Sequence, residues 1–168
     1  MYDNNISEII INSTGEIIDS NNSGQITYKI YQSRDGIKVT GYAIPIAGKG
    51  LWGTMYGYFA IEPDVATAKG ITFYKHKETP GLGAEVDKDW FKNNFIGKKF
   101  IDDSGELVSI EVIKGFVSDK DPDSKYKVDG ISGATITGTG LTTFLKADLQ
   151  KYEPYFARIR KLNQIESL

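Results

Sequence analysis

The sequence of 168 residues contains no cysteine and only one histidine, His76. Without cysteine, the chain cannot perform thiol catalysis, bind an iron–sulfur cluster through thiolates, or form a cysteine-based zinc site. A single histidine is a poor basis for a multi-histidine metal centre or a Ser–His–Asp triad, and we expect His76 to be an exposed residue at the end of a strand. The sequence therefore predicts no catalytic residues and no metal site.

The sequence also has no dense cluster of basic residues and no long apolar run. Its 20 Lys and Arg residues are nearly balanced by 22 Asp and Glu residues, which gives a formal net charge of −2. Such a balance argues against a nucleic-acid partner. The apolar runs are much shorter than the roughly 18 residues of a membrane span, and no signal peptide opens the chain. A chain of this length can bury about 70% of its surface, so we predict one globular domain.

Alternation of apolar and polar residues predicts a sheet. In residues 25–32, Ile26, Tyr28 and Ile30 fall on one face of a half-buried strand, and a turn connects this strand to the next, so that the two form a hairpin. The remaining strands are predicted at residues 37–46, 54–61, 71–76 and 107–114, with a strand or helical turn at 6–12 and a charged loop at 118–127.

Helical spacing appears twice. It predicts a helix over residues 87–96 with Asp87 or Asp89 as its cap, because apolar residues recur there at intervals of three to five. It also predicts a last helix from about residue 140 to 152, capped by Thr137 or Thr139, with a second helical piece after Pro154. The predicted fold class is α+β, a single domain with a mainly antiparallel sheet and a few helices.

Residues 128–140 combine glycines, hydroxyl side chains and small residues directly before a helical pattern. Glycines allow the backbone to approach a ligand, and the N–H groups at a helix start attract a phosphate. The segment is not a P-loop, because the Gly-Lys-Ser/Thr ending is missing, and it is not a dinucleotide fingerprint. From these residues alone, a Gly/Thr turn that only caps a helix explains the pattern equally well.

Two other loops and one lysine are candidate ligand contacts. Residues 78–83 (ETPGLG) form either a plain wide turn or a loop that presents backbone amides and Leu82 to a flat ligand. In residues 48–54, Trp52 lies among glycines, where an indole is either part of the core or the wall of a ligand site. Lys114 ends a predicted strand and is either a phosphate contact or an ordinary exposed side chain.

Three motifs together resemble a known family. Residues 129–135 (DGISGAT) resemble the D-x-x-[S/T]-G-A-T signature of FMN-binding domains that carry flavin covalently on the final threonine. Residues 78–83 and 50–56 (GLWGTMY) also resemble that family, in the expected order, and the likeness runs from about residue 24 to the end. Within the family the sequence is most similar to the C-type subunits of Na⁺-translocating NADH:quinone reductases. One departure is Gly138, where serine is more usual.

The resemblance implies an FMN-binding domain over residues 24–168, preceded by a segment, 1–23, that follows a removed membrane anchor. It implies one FMN per chain, joined to Thr135 through a phosphoester by a Mg²⁺-dependent flavin transferase that uses FAD as donor. It also implies an electron carrier in a sodium-pumping NADH:quinone reductase, with the other subunits as partners. The domain is then expected on the periplasmic side of the bacterial inner membrane, anchored by one N-terminal helix.

The family pattern further implies roles for individual residues. Gly133 and Ala134 are expected to be small so that the transferase reaches the Thr135 hydroxyl, and Asp129 and Ser132 to hold the loop. The phosphate is expected near Ser132, Thr135 and Thr137, with Lys114 as counter-charge. The flavin ring is expected against Leu82 and Trp52, and its edge is expected to be lined by Glu78, Thr79 and Gly83. The predicted cofactor contacts are Trp52, Glu78, Thr79, Leu82, Gly83, Lys114, Asp129, Ser132, Gly133, Ala134, Thr135, Ile136 and Thr137.

Two alternatives stay open. The first keeps the flavin but changes the assembly, to the G-type component of an Rnf electron-transport complex or another flavinylated extracytoplasmic domain; the segment around Trp52 argues against the Rnf component. The second is a ligand-binding or adhesion domain without redox chemistry, whose glycine-rich loops and aromatic side chains bind a sugar or peptide. A hydrolase does not fit, because the sequence offers neither a nucleophile–base pair nor a metal cluster.

Overall fold

A five-stranded antiparallel sheet forms the framework of the chain. The computed structural model describes residues 5–19 and 24–168. Each strand pairs with the one before it in the sequence, so the order across the sheet is β1-β2-β3-β4-β5. The strands are β1 (Ile6–Asn12), β2 (Thr27–Asp35), β3 (Lys38–Lys49), β4 (Thr54–Ile61) and β5 (Ala68–Lys75). The predicted α+β class with a mainly antiparallel sheet is confirmed.

One face of this sheet lies in the core and packs against a long helix, α2 (Thr135–Glu166). Along β4, Phe59 and Ile61 are fully buried, whereas the residues that alternate with them are partly exposed. The helix adds buried side chains such as Leu145 and Phe156 to the same core. Because burial of a large apolar side chain contributes about 1.5–3 kcal/mol, this interface is the main source of stability.

The first two strands show how far the sequence pattern holds. In β2, Ile30 is fully buried and Tyr28 contacts Tyr152 of α2 with ring centroids 5.7 Å apart, as the alternation predicts. Ile26, predicted on the same face, instead precedes the strand and is exposed. The segment 1–23 was expected to lie outside the domain, but β1 within it pairs with β2 and buries Ile11 in the common core.

A second layer follows β5 and has little regular structure. The predicted helix over residues 87–96 is divided into short pieces: a 3₁₀ turn (Gly83–Asp87), the one-turn helix α1 (Asp89–Lys92) and another 3₁₀ turn (Asn93–Phe95). The predicted caps are wrong, because the residue before α1 is Lys88 and neither Asp87 nor Asp89 is its cap. Three apolar side chains of this region, Val86, Phe91 and Phe95, are fully buried, whereas Trp90 and Ile96 are exposed.

The predicted strand at 107–114 is mostly irregular. Only β6 (Glu111–Val112) is extended within it, and it pairs in parallel with β7 (Lys127–Val128). The backbone of Ser109 has φ of 69°, a left-handed conformation that ends an extended run. The charged loop predicted at 118–127 is present, with one 3₁₀ turn at Ser124–Tyr126.

Helix α2 begins earlier and runs further than the sequence predicts. It starts at Thr135 rather than near residue 140, and it continues through Pro154 without a break. The proposed cap Thr139 lies inside the helix, where its hydroxyl donates to the carbonyl of Thr135 at 3.0 Å. This bond satisfies the hydroxyl of a threonine inside the helix, where the side chain has no capping role. In the described ranges, no helix is both long and apolar enough to cross a membrane.

Candidate functional site

The signature segment 129–135 is a turn that leads directly into α2. Its Gly133 has φ of 74°, a conformation that favours glycine, and it is exposed. Asp129 accepts a hydrogen bond from the Val117 amide at 2.7 Å, and the Gly130 amide donates to the Gly115 carbonyl at 2.8 Å. These bonds attach the signature to the neighbouring turn at residues 114–117.

Thr135 is the first residue of α2, and its side chain is exposed. The residue before it is Ala134, which is buried, and within the described chain no side chain caps this helix start. The first-turn N–H groups therefore keep their hydrogen-bonding capacity, and the helix dipole adds partial positive charge. An exposed hydroxyl beside free amides suits a phosphate group.

A concave site of about 260 Å³ lies at this helix start. It brings together five of the predicted contacts: Lys114, Ser132, Gly133, Ala134 and Thr135. Lys114 is exposed, so the site combines a mobile positive charge with the uncapped amides. Such a donor set fits the phosphate of a nucleotide.

The same site includes a residue that the sequence analysis missed. Phe116 lines it and is 84% exposed, an unusual position for a phenylalanine. Phe116 follows Lys114 and Gly115 in a tight turn. Its one local signal in the sequence is that it is an aromatic residue after a glycine in a polar stretch. An exposed ring at this point can contact a planar ligand.

Behind the helix start, the carboxylate of Glu78 joins the 78–83 loop to the loop around Trp52 and to the first turn of α2. Its Oε1 accepts from the Trp52 amide at 3.0 Å, and its Oε2 accepts from the Leu51 amide at 3.2 Å. The hydroxyl of Thr137 donates to the same Oε2 at 2.5 Å. Thr137 is therefore an internal contact and not the predicted cap of α2. The Glu78 carboxylate faces the interior of the protein, since the residue is 5% exposed.

The charge of Glu78 is stabilised by these donors. Burial by itself raises the pKa of a carboxyl group, and it is the largest single influence here. The hydrogen bonds from Thr137, Trp52 and Leu51 act together in the opposite direction, with a smaller effect from His76. The net result is a pKa below the ordinary value, so Glu78 is ionised at neutral pH.

The 78–83 loop folds back on itself and presents one apolar side chain. The Thr79 carbonyl accepts from the amides of Leu82 at 3.0 Å and Ala84 at 3.1 Å, while the Thr79 side chain is exposed. Leu82 is partly exposed and approaches Gly133, where an added Cβ would lie 2.9 Å from its Cδ2. Gly83 is buried against Glu78 and Thr137. The loop thus lies beside the signature turn.

Trp52 and Ile136 complete the predicted set. Trp52 is 64% exposed, so its indole is not part of the core. Ile136 is also exposed, directly after Thr135. Together with Leu82 and Phe116 they make four exposed apolar side chains, three of them on loops and Ile136 in the first turn of α2. Exposed apolar clusters of this kind mark ligand or protein contacts.

His76 is not the exposed residue that the sequence predicts. Its side chain is 13% exposed, and its Nε2 lies 2.6 Å from Oδ2 of Asp87. Its Nδ1 accepts a hydrogen bond from the Glu78 amide at 3.1 Å, which leaves the proton of the neutral ring on Nε2, facing Asp87. His76 is therefore hydrogen bonded to the first residue of the 78–83 loop and to Asp87, and these bonds help to hold the loop in place.

Three wider depressions lie elsewhere on the described surface. One, of about 510 Å³, is bordered by four carboxylates, which would repel a phosphate: Asp102, Asp103, Glu111 and Asp123. A second, of about 540 Å³, shares two of these carboxylates and adds Asp64 and Arg160. The third, of about 530 Å³, is bordered by Tyr31 and Tyr58 on the sheet face opposite α2. None of the three combines a hydroxyl, a lysine and a helix start, so the site at Thr135 is the better candidate for a nucleotide.

Known proteins with similar sequences share most of this chain. The chain is 39% identical over 136 residues to the C-type subunit of the Na(+)-translocating NADH-quinone reductase of Yersinia pestis. It is 40% identical over 120 residues to the corresponding protein of Pseudomonas aeruginosa. These alignments cover 79% and 70% of this chain but only 50% and 46% of the relatives. The chain thus spans about half the length of the curated relatives it matches.

Two solved structures share the fold and support a family assignment. The crystal structure of Shewanella oneidensis NqrC superposes with a TM-score of 0.81 at 26% identity, covering 94% of this chain and 85% of that one. The crystal structure of the C-type subunit from Parabacteroides distasonis gives 0.77 at 32% identity, covering 89% and 77%. The family model of the FMN-binding domain matches residues 50–150, which include all three motifs. Because that match spans more than half of the chain, the protein belongs to the FMN-binding domain family.

Proposed function

We propose that this chain is an electron-carrier domain that holds one FMN, joined through its phosphate to the Thr135 hydroxyl. We further propose that it is the extracytoplasmic part of the C-type subunit of a Na⁺-translocating NADH:quinone reductase. The observation that carries the proposal is the position of Thr135, an exposed hydroxyl at the uncapped start of a helix of 32 residues. Family membership and the names of the relatives support it.

The residues around Thr135 fit the two parts of FMN. For the phosphate, the first-turn amides of α2 and the Lys114 ammonium supply hydrogen bonds and positive charge. For the ring, the exposed side chains of Trp52, Leu82 and Phe116 supply apolar contact area beside the signature turn. When bound, FMN supplies the capacity to take up and release electrons, which no side chain of this protein has.

Attachment of the phosphate is assigned to a separate enzyme. The bond that forms joins Thr135 Oγ1 to the phosphorus of the FMN half of FAD, the pyrophosphate bond breaks, and AMP leaves as the hydroxyl proton is lost. This step needs a base and a metal ion. The ring nitrogens of His76, the only histidine, are hydrogen bonded to Glu78 and Asp87, so this residue does not activate Thr135. We therefore expect a Mg²⁺-dependent flavin transferase to supply both.

A permanent bond to the cofactor suits the proposed location. On the periplasmic side of the inner membrane, free FMN is scarce, and a phosphoester prevents its loss. Leaving one face of the ring accessible would allow electrons to pass to and from neighbouring subunits. We expect the membrane anchor and the remaining subunits to hold the domain close to those partners.

The test is co-expression with a flavin transferase in a host that exports both proteins, followed by intact mass and a peptide map of residues 128–146. The expected mass gain equals FMN minus one water, located on Thr135. Thr135→Val should gain nothing. Thr139→Val is the matched control, since it removes a hydroxyl one helical turn later, and it should gain the same mass as the wild type.

The opposite result would be an unmodified wild-type chain with a transferase that is active on another substrate. The segment 129–135 would then be a helix-capping turn only, and a ligand-binding domain without flavin would be the better explanation. The Rnf alternative predicts the same mass gain but a different assembly. The relatives named above favour the sodium-translocating reductase, and co-purification of the full-length protein with its partner proteins would decide between the two assemblies.

A further inference from the structure

Three segments that are far apart in the sequence meet at a single buried carboxylate. Glu78 belongs to the 78–83 loop, and Thr137, which donates to it at 2.5 Å, is 59 residues away on α2. The amides of Leu51 and Trp52 donate to it from the glycine-rich loop, 27 and 26 residues away. The carboxylate is therefore the point at which the two loops and the helix start are held together.

Two glycines leave the space that the Glu78 carboxylate occupies. A Cβ added to Gly50 would lie 2.6 Å from Oε1, and a Cβ added to Gly83 would lie 2.6 Å from Oε2. Both distances are too short for any side chain larger than hydrogen, and both glycines are buried. The glycines of two family motifs thus make room for Glu78, in addition to any role in turns.

The chemistry of the three donors requires an ionised acceptor. Two donors are backbone N–H groups and the third is a hydroxyl, so the carboxylate accepts three hydrogen bonds with two oxygens. A glutamine of the same shape has only one acceptor oxygen, and its NH₂ group would face one of the backbone N–H groups. That N–H would be left unpaired in a buried position, which is costly.

The hydrogen bonds of Glu78 join the two parts of the proposed flavin site, which are the start of α2 and the loop that carries Trp52. Thr137 lies two residues after Thr135 in the first turn of α2, so its hydrogen bond fixes the rotation of the helix start. The Trp52 amide bond fixes the backbone that carries the exposed indole. One side chain thus sets the position of the indole relative to the attachment hydroxyl.

We propose that Glu78 is a positioning residue for FMN, which holds the Trp52 loop and the start of α2 at a fixed separation. This inference rests on the proposed function, because it assigns the two held parts to the flavin ring and its phosphate. Glu78 acts through Trp52 and Thr135 and not by touching the ring edge. It differs in this respect from the role that the sequence predicts.

The first experiment uses the protein without flavin, so that it does not depend on attachment. Amide hydrogen exchange is followed by NMR at Leu51 and Trp52 in the wild type and in Glu78→Gln. We expect exchange at one or both amides to accelerate at least about tenfold, because a hydrogen bond to a buried acceptor is lost. Unchanged rates at both amides would overturn the proposal.

Asp148→Asn is the matched control, since Asp148 is also a buried carboxylate that accepts a hydrogen bond from a backbone amide. Its Oδ2 accepts from the Ala47 amide at 2.8 Å, on the same sheet but outside the glycine-rich loop. In this variant the Leu51 and Trp52 amides should keep their wild-type rates. Acceleration of those amides in Asp148→Asn as well would indicate general loosening of the fold and would count against a specific role for Glu78.

The second experiment uses the flavinylated protein and reads the ring environment. Visible circular dichroism of the bound flavin depends on how rigidly the ring is held, and general stability does not change it. Thr137→Val, which removes only the hydroxyl, should reduce the visible band by at least about twofold, whereas Thr137→Ser should restore it. Equal bands in all three proteins would overturn the proposal. Absence of flavin from the wild type would instead reject the proposed function, and the amide-exchange result would still stand.

Discussion

The start and the middle of α2 are attached to the rest of the protein by different means. Near its middle, Phe156 is fully buried and packs edge-on against Tyr42 of the sheet, with ring centroids 5.5 Å apart. At its start, the contacts are polar or involve glycines: Thr137 donates to Glu78, and the backbone of Gly140 touches the carbonyl of Lys49. Apolar packing fixes where the helix lies, and hydrogen bonds fix how its first turn is rotated.

The middle of α2 therefore contributes to stability, whereas its start carries the proposed attachment residue. Aromatic side chains account for much of the buried area, but they leave no exposed reactive group. The helix start buries little apolar surface and leaves Thr135 exposed. We therefore expect substitutions at the start and in the middle of α2 to affect different properties, and the following predictions test this separation from the largest effect to the smallest.

Replacement of Phe156 by Ala should have the largest effect on stability. A fully buried phenylalanine leaves a cavity when truncated, and we expect a loss of about 3–5 kcal/mol in the free energy of unfolding, measured in urea. Phe116→Ala is the matched control, because that ring is exposed, and it should change stability by less than about 0.5 kcal/mol. Phe156→Ala protein that is still folded should accept flavin on Thr135 as the wild type does.

Replacement of Gly140 by Ala should be the next largest. Helix propensity alone favours Ala over Gly by about 1 kcal/mol. Here the new Cβ would overlap the carbonyl oxygen of Lys49, a backbone atom that cannot move aside. We expect a net destabilisation of about 1–3 kcal/mol by urea unfolding, as is typical of overpacking. A raised urea midpoint would mean that the helix start is not held against β3.

Low pH should selectively weaken the hydrogen bonds that the Glu78 carboxylate accepts. The pKa of Glu78 is below its ordinary value of 4.5 in the folded protein, because the hydrogen bonds outweigh the effect of burial. Its stabilising contribution is therefore fully present above the ordinary pKa and is lost as the pH falls through the lower, folded value. The difference in free energy of unfolding between the wild type and Glu78→Gln should narrow from about pH 7 to about pH 3.

Glu8→Gln is the control for this pH series. Glu8 is an exposed residue of β1 that pairs with Lys29 at 3.3 Å, and such pairs contribute little at any pH. Its difference from the wild type should stay small throughout. A constant difference for Glu78→Gln across the series would show that the carboxylate charge is not what holds the two loops and the helix start together.

Thr135→Val should have the smallest effect on stability. The side chain is exposed at the first helical position, so its loss should change the free energy of unfolding by less than about 0.5 kcal/mol. The same substitution is expected to abolish flavin attachment. A stability loss above about 1 kcal/mol would indicate that Thr135 caps the helix, and the start of α2 would then contribute to stability as its middle does.

The sheet was predictable because its signal is local. Period-two alternation in residues 54–61 and 25–32 marks strands whose faces are buried or exposed in turn, and β4 has the predicted bounds. The irregular layer was harder to predict, because its backbone follows special conformations such as the positive φ of Ser109. No residue pattern distinguishes such a bend from a continuous strand.

The start of α2 was misplaced for a different reason. Two glycines and several threonines in residues 135–143 argue against a helix on propensity alone. The helix forms because the glycines allow close approach to β3 and β6, where a Cβ at Gly138 would lie 3.0 Å from Val112. The Glu78–Thr137 hydrogen bond could not be predicted either, because the two residues are 59 positions apart. Tertiary contacts determine both the start of α2 and this hydrogen bond, and the sequence does not display them.

The contacts of α2 with early parts of the chain have a consequence for the order of folding. The Ala47 amide pairs with Asp148, 101 residues later, and the carbonyl of Gly15 pairs with Arg158, 143 residues later. Contacts of such high sequence separation form slowly and only when both parts of the chain are available to fold. Helix α2 thus reaches its final position late, so an enzyme that recognises the shape around Thr135 would act on folded domains and pass over partly folded ones.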